Sequence, residues 1–215
     1  TPEEYGIVAL FYTFVPLLNI VVRYGMGAAF LKNYVPAGEK DRISIMTNVI
    51  FSLFISGVPF LTLFYLFKES LSFIFFGVSS PSYVTVMGII IFFDTIWSIP
   101  MLAFRAENRP QLFILLSFLN VGITLICNLC FIIIFKMNIV SIFISNLIAS
   151  SSIFILVLPF IYQRFEFSSI SIVKWKNILS FALPFLPAGL FAMAMEVADR
   201  YILKILTDLE TVGIY

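Results

Sequence analysis

Charged residues lie inside the last apolar segment of the chain, where they could bind an ion or a charged substrate. Glu196, Asp199 and Arg200 are spaced so that they fall close together on one side of a helix. A charge in hydrocarbon is costly unless it faces a partner or a water-filled cavity. We therefore predict that Asp199 and Arg200 line a substrate cavity and that Glu196 is a site for a coupling ion. The alternative is a self-neutralising ladder of charges near the membrane edge.

A further charged position is Arg23, which lies in the first apolar segment, four residues after Asn19. A planar guanidinium group can hold a phosphate through two parallel, charge-assisted hydrogen bonds. We predict that Asn19 and Arg23 belong to the substrate-binding cavity. The alternative is that the Arg23 side chain extends toward the lipid headgroups at the cytoplasmic surface.

Asp94 is the most isolated acid, close to the middle of the apolar segment Val84–Phe104 and near Trp97 and Ser98. An acid at that depth suits coupling to a proton or another cation, and we predict this role for Asp94. The alternative is a structural hydrogen bond or salt bridge to a neighbouring helix, with Arg23 or Arg200 as the partner.

Asn120 and Asn128, with Thr124 between them, repeat at intervals of four residues. They could bind sugar hydroxyls across a cavity or form hydrogen bonds between helices. The chain has no histidine and two cysteines, Cys127 and Cys130, inside an apolar run where both read as packing residues. We therefore expect no metal site and no cofactor.

The composition indicates the class of protein that positions these residues. The chain of 215 residues is 61% hydrophobic, and its mean hydropathy is +1.06, more than a soluble core of this length could bury. This predicts an integral membrane protein. The formal net charge of +1, with basic residues scattered between apolar runs, excludes a nucleic-acid partner.

Six continuous apolar stretches are long enough to cross a hydrocarbon core of about 30 Å. Because each run is continuous rather than alternating, we predict an all-α integral membrane protein with six transmembrane helices. A shorter segment, 68–82, predicts a helix or hairpin on the outer surface. The six predicted spans are Ile7–Phe30, Ile43–Phe67, Val84–Phe104, Gln111–Phe135, Ile139–Tyr162 and Ile178–Leu206.

Basic residues are distributed unequally among the connections between these spans. The second and fourth connections hold only Lys68 and Lys136, whereas the others are richer. The positive-inside rule then places the first, third and fifth connections in the cytoplasm and both chain ends on the outer side. The basic residues of those three connections are Lys32, Lys40 and Arg42, then Arg105 and Arg109, then Arg164, Lys174 and Lys176.

The two ends of the chain resemble each other. Glu3–Ile7 and Leu209–Tyr215 both place Gly-Ile after acidic residues, at a separation close to that of a six-helix repeat. Such repeats are typical of two-lobed transporters. We expect the chain to begin after the first helix of such a transporter and to end after the seventh.

Four stretches together resemble one family: Pro2–Ile7, Phe104–Arg109, Phe181–Ala188 and Asp199–Leu203. Their order and spacing are similar to those of the bacterial polysaccharide (O-antigen) flippases of the multidrug/oligosaccharidyl-lipid/polysaccharide (MOP) superfamily. The chain departs from that family at Arg23, where an acidic or neutral residue is expected.

The resemblance implies a two-lobed, MATE-like fold built from six-helix repeats. Residues 1–162 would hold most of the N-terminal lobe, from helix two to helix six, with the first helix missing. Residues 163–177 would form a cytoplasmic linker between the lobes, and residues 178–215 the first helix of the C-terminal lobe with the outer loop that follows.

The resemblance also implies a function, which is movement of undecaprenyl-pyrophosphate-linked oligosaccharide across the bacterial cytoplasmic membrane by alternating access. The implied partners are this lipid-linked oligosaccharide, membrane lipids, and a polysaccharide polymerase with chain-length regulators. No bond is made or broken, so the protein would not be an enzyme. The alternatives are a cation-coupled multidrug exporter of the same superfamily and, more remotely, a membrane polysaccharide polymerase.

Overall fold

A computed structural model describes the backbone of residues 2–206 and the side chains of residues 4–193, Ile202, Ile205 and Leu206. Within this part the chain forms nine α-helices, and a π-helical turn, Cys130–Ile134, extends the sixth. The helices are α1 (Pro2–Arg23), α2 (Met26–Tyr34), α3 (Glu39–Leu66), α4 (Lys68–Phe76), α5 (Pro81–Ala106), α6 (Pro110–Leu129), α7 (Val140–Gln163), α8 (Ile172–Ala182) and α9 (Phe185–Leu206).

Six helical segments are long and apolar enough to cross a membrane, so the protein is an all-α, multi-pass membrane protein as predicted. The short helix α4 lies where the sequence predicts a short element between two spans. The six segments are Glu4–Arg23, Glu39–Leu66, Pro81–Ala106, Pro110–Ile134, Val140–Gln163 and Ile172–Met193.

The first predicted span, Ile7–Phe30, is wrong in its continuity. Helix α1 ends at Arg23, and the next two residues have positive φ angles, 34° at Tyr24 and 80° at Gly25. Glycine adopts this backbone region without steric cost, so Gly25 allows the chain to turn before α2 begins. Runs of apolar residues conceal such a break, because its cause is a single glycine within them.

The last predicted span, Ile178–Leu206, is also wrong as one helix. It begins six residues earlier, at Ile172, and divides into α8 and α9 around Leu183 and Pro184. Proline has no amide hydrogen to donate to the preceding turn, so Pro184 interrupts the helical hydrogen-bond pattern. The predicted linker 163–177 therefore contains the first turns of α8.

The two helix breaks lie against each other. A Cβ atom added to Gly25 would overlap the carbonyl oxygen of Ala182 and would lie 2.7 Å from the Cβ of Phe185. Helix α2 packs along α8, and α1 packs along α9. The glycine thus serves two purposes, because it allows the turn and also admits the neighbouring backbone.

Helix α5 lies at the centre of the bundle, packed against α1, α3 and α7. Its inward face is fully buried at Met87 and Ile91. Helix α6 is outermost, and no described residue of it is buried. Phe118 on α6 is 80% exposed. In a membrane such apolar faces meet lipid, so their exposure needs no protein partner.

The connection between α7 and α8 is fixed to α3 rather than loose. The side chain of Asn48, fully buried on α3, donates to the carbonyl oxygen of Ser169 at 3.0 Å and accepts from the amide of Ser171 at 3.0 Å. Thr47, beside it, accepts from the amide of Glu166 at 3.1 Å. A buried asparagine satisfied in this way holds the connection in a single conformation.

Replacing Asn48 with alanine is expected to lower the free energy of unfolding by about 1 to 3 kcal/mol, because the half-buried amide of Ser171 loses its acceptor. Amide hydrogen exchange in residues 166–171 should accelerate in the variant. Asn33→Ala is the matched control, since the Asn33 side chain donates to Ala29 within its own helix. Equal exchange in the two variants would contradict a role for Asn48 in holding the connection.

Candidate functional site

Three residues predicted to carry function meet inside the membrane-spanning bundle. Asn19 and Arg23 come from α1, and Asp94 comes from the middle of α5. The three side chains are half-buried. The Asn19 side chain faces the Asp94 carboxylate, and its Oδ1 lies 3.5 Å from the hydroxyl of Thr95. The structure therefore brings together residues that lie more than seventy positions apart in sequence.

Hydrogen bonds from described side chains hold the Asp94 carboxylate. Its Oδ1 accepts from the indole nitrogen of Trp97 at 2.9 Å and from the hydroxyl of Ser150 on α7 at 2.7 Å. The second bond joins α5 to α7. A structural hydrogen bond to a neighbouring helix is the alternative to ion coupling that the sequence leaves open for Asp94. Ser150 was not predicted, although a serine in an apolar span is the signal that could have identified it.

Arg23 lies beside Asp94 at the point where α1 ends. Its Nη2 donates to the backbone carbonyl oxygen of Asp94 at 2.8 Å, and the two side-chain charges attract each other. Among the described residues no group accepts a hydrogen bond from the buried Nε of Arg23. The guanidinium group therefore keeps an unused donor inside the bundle, and such a donor can bind an anion or a water molecule.

Asn120 and Asn128 lie on a different helix from this cluster. Both are half-buried on α6, which packs against α7 and α5. Thr124 between them donates to the carbonyl oxygen of Asn120 at 2.9 Å. Within the described part of the chain, the buried Oδ1 of Asn128 has no hydrogen-bond partner. Their contact with substrate stays a prediction.

The charged stripe of the last span falls outside the described side chains. Glu196, Asp199 and Arg200 belong to α9, whose backbone is described to Leu206. Helix α9 packs along α1, the helix that carries Asn19 and Arg23. The predicted roles of the three residues in substrate binding and ion coupling stay predictions.

A second polar cluster, which the sequence did not predict, lies at one end of the bundle. Both carboxylate oxygens of Glu107 meet the Arg164 guanidinium, at 2.7 and 3.1 Å, and the Tyr34 hydroxyl donates to Glu107 at 2.5 Å. These residues lie at the ends of α2, α5 and α7. The available signal was one acid, Glu107, between Arg105 and Arg109 in a basic connection.

The sequence matches a family model described as polysaccharide biosynthesis protein over residues 1–215. The chain belongs to the polysaccharide biosynthesis family. The resemblance predicted from four short stretches is therefore confirmed at the level of the family. A search of curated proteins gives no match.

The fold of this polysaccharide biosynthesis protein is similar to that of a solved transporter. The solved chain is described as the inward-facing conformation of a multidrug resistance MATE family transporter of the MOP superfamily. The TM-score is 0.74 at 16% identity, over 99% of this chain and 52% of that chain. The predicted MATE-like fold is thus confirmed, and the chain spans about half the length of the transporter it matches.

Within the described part of this family member, no group of acidic or cysteine side chains is arranged to hold a metal ion. Cys127 and Cys130 are free thiols on and just after α6. The two clusters contain paired charges and hydrogen-bonding groups. Groups of this kind hold or release a charged ligand without changing its covalent bonds.

Replacing Tyr34 with phenylalanine is expected to lower the free energy of unfolding by about 1.5 to 3 kcal/mol, because its hydrogen bond to the Glu107 carboxylate is lost. Burial, together with that hydrogen bond, raises the pKa of Tyr34 above its ordinary value of 10.0. The folded protein therefore binds the phenol proton more tightly than the unfolded chain does. This stabilisation is complete below about pH 10 and decreases as the pH rises further.

Chemical unfolding of the purified protein at several pH values tests this expectation. The difference in stability between wild type and Tyr34→Phe should be constant from about pH 7 to pH 9 and should narrow above about pH 10. A difference that stays constant above pH 10 would contradict a tighter phenol proton in the folded protein.

Proposed function

We propose that this protein is part of a flippase that moves a polyprenyl-pyrophosphate-linked oligosaccharide across the bacterial cytoplasmic membrane. Membership of the polysaccharide biosynthesis family supports the substrate class. A transporter-like fold supports movement of a molecule rather than a reaction, so we propose a transporter and not an enzyme. The cargo is the oligosaccharide on undecaprenyl pyrophosphate.

The observation that carries the proposal is the placement of Arg23 inside the bundle. A guanidinium group at this depth is costly, and Asp94 offsets only part of the cost because it already accepts from Trp97 and Ser150. The buried Nε of Arg23, which has no partner among the described residues, suits a phosphate oxygen. We propose that the pyrophosphate passes this position and that Arg200 also binds it.

The two helix breaks support a route for alternating access. Since Asn48 fixes the connection between α7 and α8, we propose that bending takes place at Leu183 and Pro184 rather than in that connection. Gly25 lies against the carbonyl oxygen of Ala182, so a bend there would be transmitted to α1 and to Arg23. Hinges of this kind are positions where the helical hydrogen-bond pattern is already interrupted.

The cellular setting follows from the same proposal. The first, third and fifth connections would face the cytoplasm, where the substrate is made, and both ends of the chain would lie on the outer side. The proposed protein partners are a polysaccharide polymerase and chain-length regulators, which act on the translocated product. Membrane lipids surround the apolar outer faces.

The second candidate function is a cation-coupled multidrug exporter. The intramembrane acid Asp94 favours it, since proton or cation coupling needs such a group. The half-buried Arg23 beside Asp94 disfavours it, because a cation would compete with a positive charge already in place. Under the flippase proposal, Asp94 instead couples ion binding to the release of Arg23 from its contact.

The proposed function is tested with the full-length protein in bacteria that lack their own flippase. Loss of the gene should cause lipid-linked oligosaccharide to accumulate on the cytoplasmic leaflet, and the wild-type gene should reverse this. Arg200→Ala and Asp94→Asn should each block the reversal at normal protein levels. Drug efflux by the wild-type protein with no effect on the oligosaccharide would overturn the flippase proposal in favour of the exporter.

A further inference from the structure

A polar cleft of about 430 Å³ opens at the end of the bundle where the three basic connections meet. Three arginines reach it from separate parts of the chain: Arg42 near the start of α3, Arg109 just before α6, and Arg164 just after α7. Glu39 and Glu107 also line the cleft, so its formal charge is positive. The cleft is distinct from the cluster around Arg23 and Asp94, because it shares no lining residue with that cluster.

The arginines of the cleft differ in how far their hydrogen-bond donors are already used. Arg164 is paired with Glu107 through both carboxylate oxygens. The Nε of Arg109 lies 3.9 Å from Oε2 of Glu107, which is beyond hydrogen-bond distance, and the Arg109 side chain is 56% exposed. Arg42 makes two long hydrogen bonds, at 3.3 and 3.4 Å, to the carbonyl oxygens that end α2. Arg42 and Arg109 therefore keep donors available for an anion, and guanidinium groups suit phosphate in particular.

An apolar groove of about 360 Å³ lies directly beside the cleft, between α3 and α7. Ile43, which lines the cleft, is followed at seven and eleven positions along α3 by Ile50 and Phe54, which line the groove. These spacings place the three residues on one face of the helix. On the other side, Arg164 of the cleft is followed at once by Phe165 of the groove.

The groove is lined by aliphatic and aromatic side chains, and several of them are exposed on the outer face of the bundle. Leu158 and Phe54 are each 39% exposed, and Tyr162 is 86% exposed. The groove thus opens toward the region that lipid chains occupy. An anionic lipid consists of a phosphate headgroup followed by a hydrocarbon chain. A positive cleft at the membrane surface, followed by an apolar groove, matches these two parts in the same order.

We propose that the cleft and the groove together bind one anionic phospholipid of the leaflet they face. The phosphate is held by Arg42 and Arg109, and one acyl chain lies in the groove against Phe54 and Leu158. The bound lipid would link the start of α3 and the start of α6 to α7, beside the contact between Glu107 and Arg164. This proposal does not depend on which molecule the protein transports.

The test uses the full-length protein in nanodiscs and native mass spectrometry to count retained lipids. Phosphatidylglycerol is the anionic probe, and phosphatidylethanolamine is the zwitterionic comparison. Arg42→Gln with Arg109→Gln should weaken retention of phosphatidylglycerol about 30-fold, which corresponds to two arginines at about 1 kcal/mol each. Lys40→Gln with Arg105→Gln is the matched control, because both residues are exposed at the same end and neither lines the cleft.

A second variant keeps the test decisive if the loss of two arginines impairs folding. Leu158→Trp fills the groove without changing any charge and should also weaken retention of phosphatidylglycerol, with an unfolding temperature near that of wild type. Equal losses in the charge variant and its control would overturn the site, since binding would then follow surface charge alone. Retention of polyprenyl pyrophosphate, without retention of phosphatidylglycerol, would also overturn it and assign the cleft to the transported substrate.

Discussion

Replacing Asp94 with leucine is expected to lower the free energy of unfolding by about 3 to 5 kcal/mol, because the Arg23 guanidinium is left inside the membrane-spanning bundle without an opposing charge. The hydroxyl of Ser150 and the indole of Trp97 lose their shared acceptor at the same time. Replacing Arg23 alone leaves Asp94 with both hydrogen bonds and should cost less. Asp94→Asn, which keeps an acceptor oxygen in place, should lie between wild type and Asp94→Leu.

The double variant Arg23→Leu with Asp94→Leu separates the pair from its surroundings. Removing both charges should restore part of the stability lost in Asp94→Leu, with a coupling energy of about 1 to 3 kcal/mol. Unfolding of the purified protein in detergent measures all four members of the cycle. Additive losses, with no recovery in the double variant, would contradict an interaction between Arg23 and Asp94.

The second large effect is expected at Gly25. Replacing it with alanine forces a side chain into a backbone conformation with φ of 80° and against the carbonyl oxygen of Ala182. The left-handed conformation costs about 1 to 2 kcal/mol, and the overlap adds about 1 to 3 kcal/mol. Because the overlapping group is backbone, it cannot rotate away. We expect the free energy of unfolding to fall by about 2 to 5 kcal/mol and α8 to shift away from α2.

Two glycines of the same chain serve as controls for Gly25. No described atom lies within 4 Å of a Cβ added to Gly38 or to Gly122. Gly38→Ala should change stability by less than about 0.5 kcal/mol. Gly122→Ala, inside α6, should increase it by up to about 1 kcal/mol. A Gly25→Ala variant as stable as Gly38→Ala would show that the two helix breaks are not in close contact.

The sequence predicts the number and position of the spans because burial in lipid requires long apolar runs. Two features of the first and last spans were less predictable. One is where each span begins, predicted at Ile7 and Ile178, and the other is whether each span is one continuous helix. At Gly25 and Pro184 the apolar run continues while the helix does not, since the break depends on one residue and on the helix that packs against it. The hydropathy of a run of residues is an average, and it does not reveal a helix break that depends on one residue.

The site was predictable in part. Asn19, Arg23 and Asp94 were identified as polar groups in apolar surroundings, and the structure places them together. The contact between Asp94 and Ser150 depends on how α5 and α7 rotate toward each other across 56 positions of sequence. The contacts of Glu107 with Arg164 and Tyr34 likewise join three helix ends that only the fold brings together. Sequence spacing within one helix contains no information about either contact.

The most direct test of whether the Arg23–Asp94 pair acts in transport is translocation of lipid-linked oligosaccharide by the full-length protein carrying both Arg23→Leu and Asp94→Leu. The variant should reach the membrane in folded form and should unfold at a higher temperature than Asp94→Leu does. We predict that it nevertheless leaves the oligosaccharide on the cytoplasmic leaflet, whereas Arg23→Lys retains part of the translocation. Wild-type translocation by the stable double variant would contradict this and would limit the pair to helix packing.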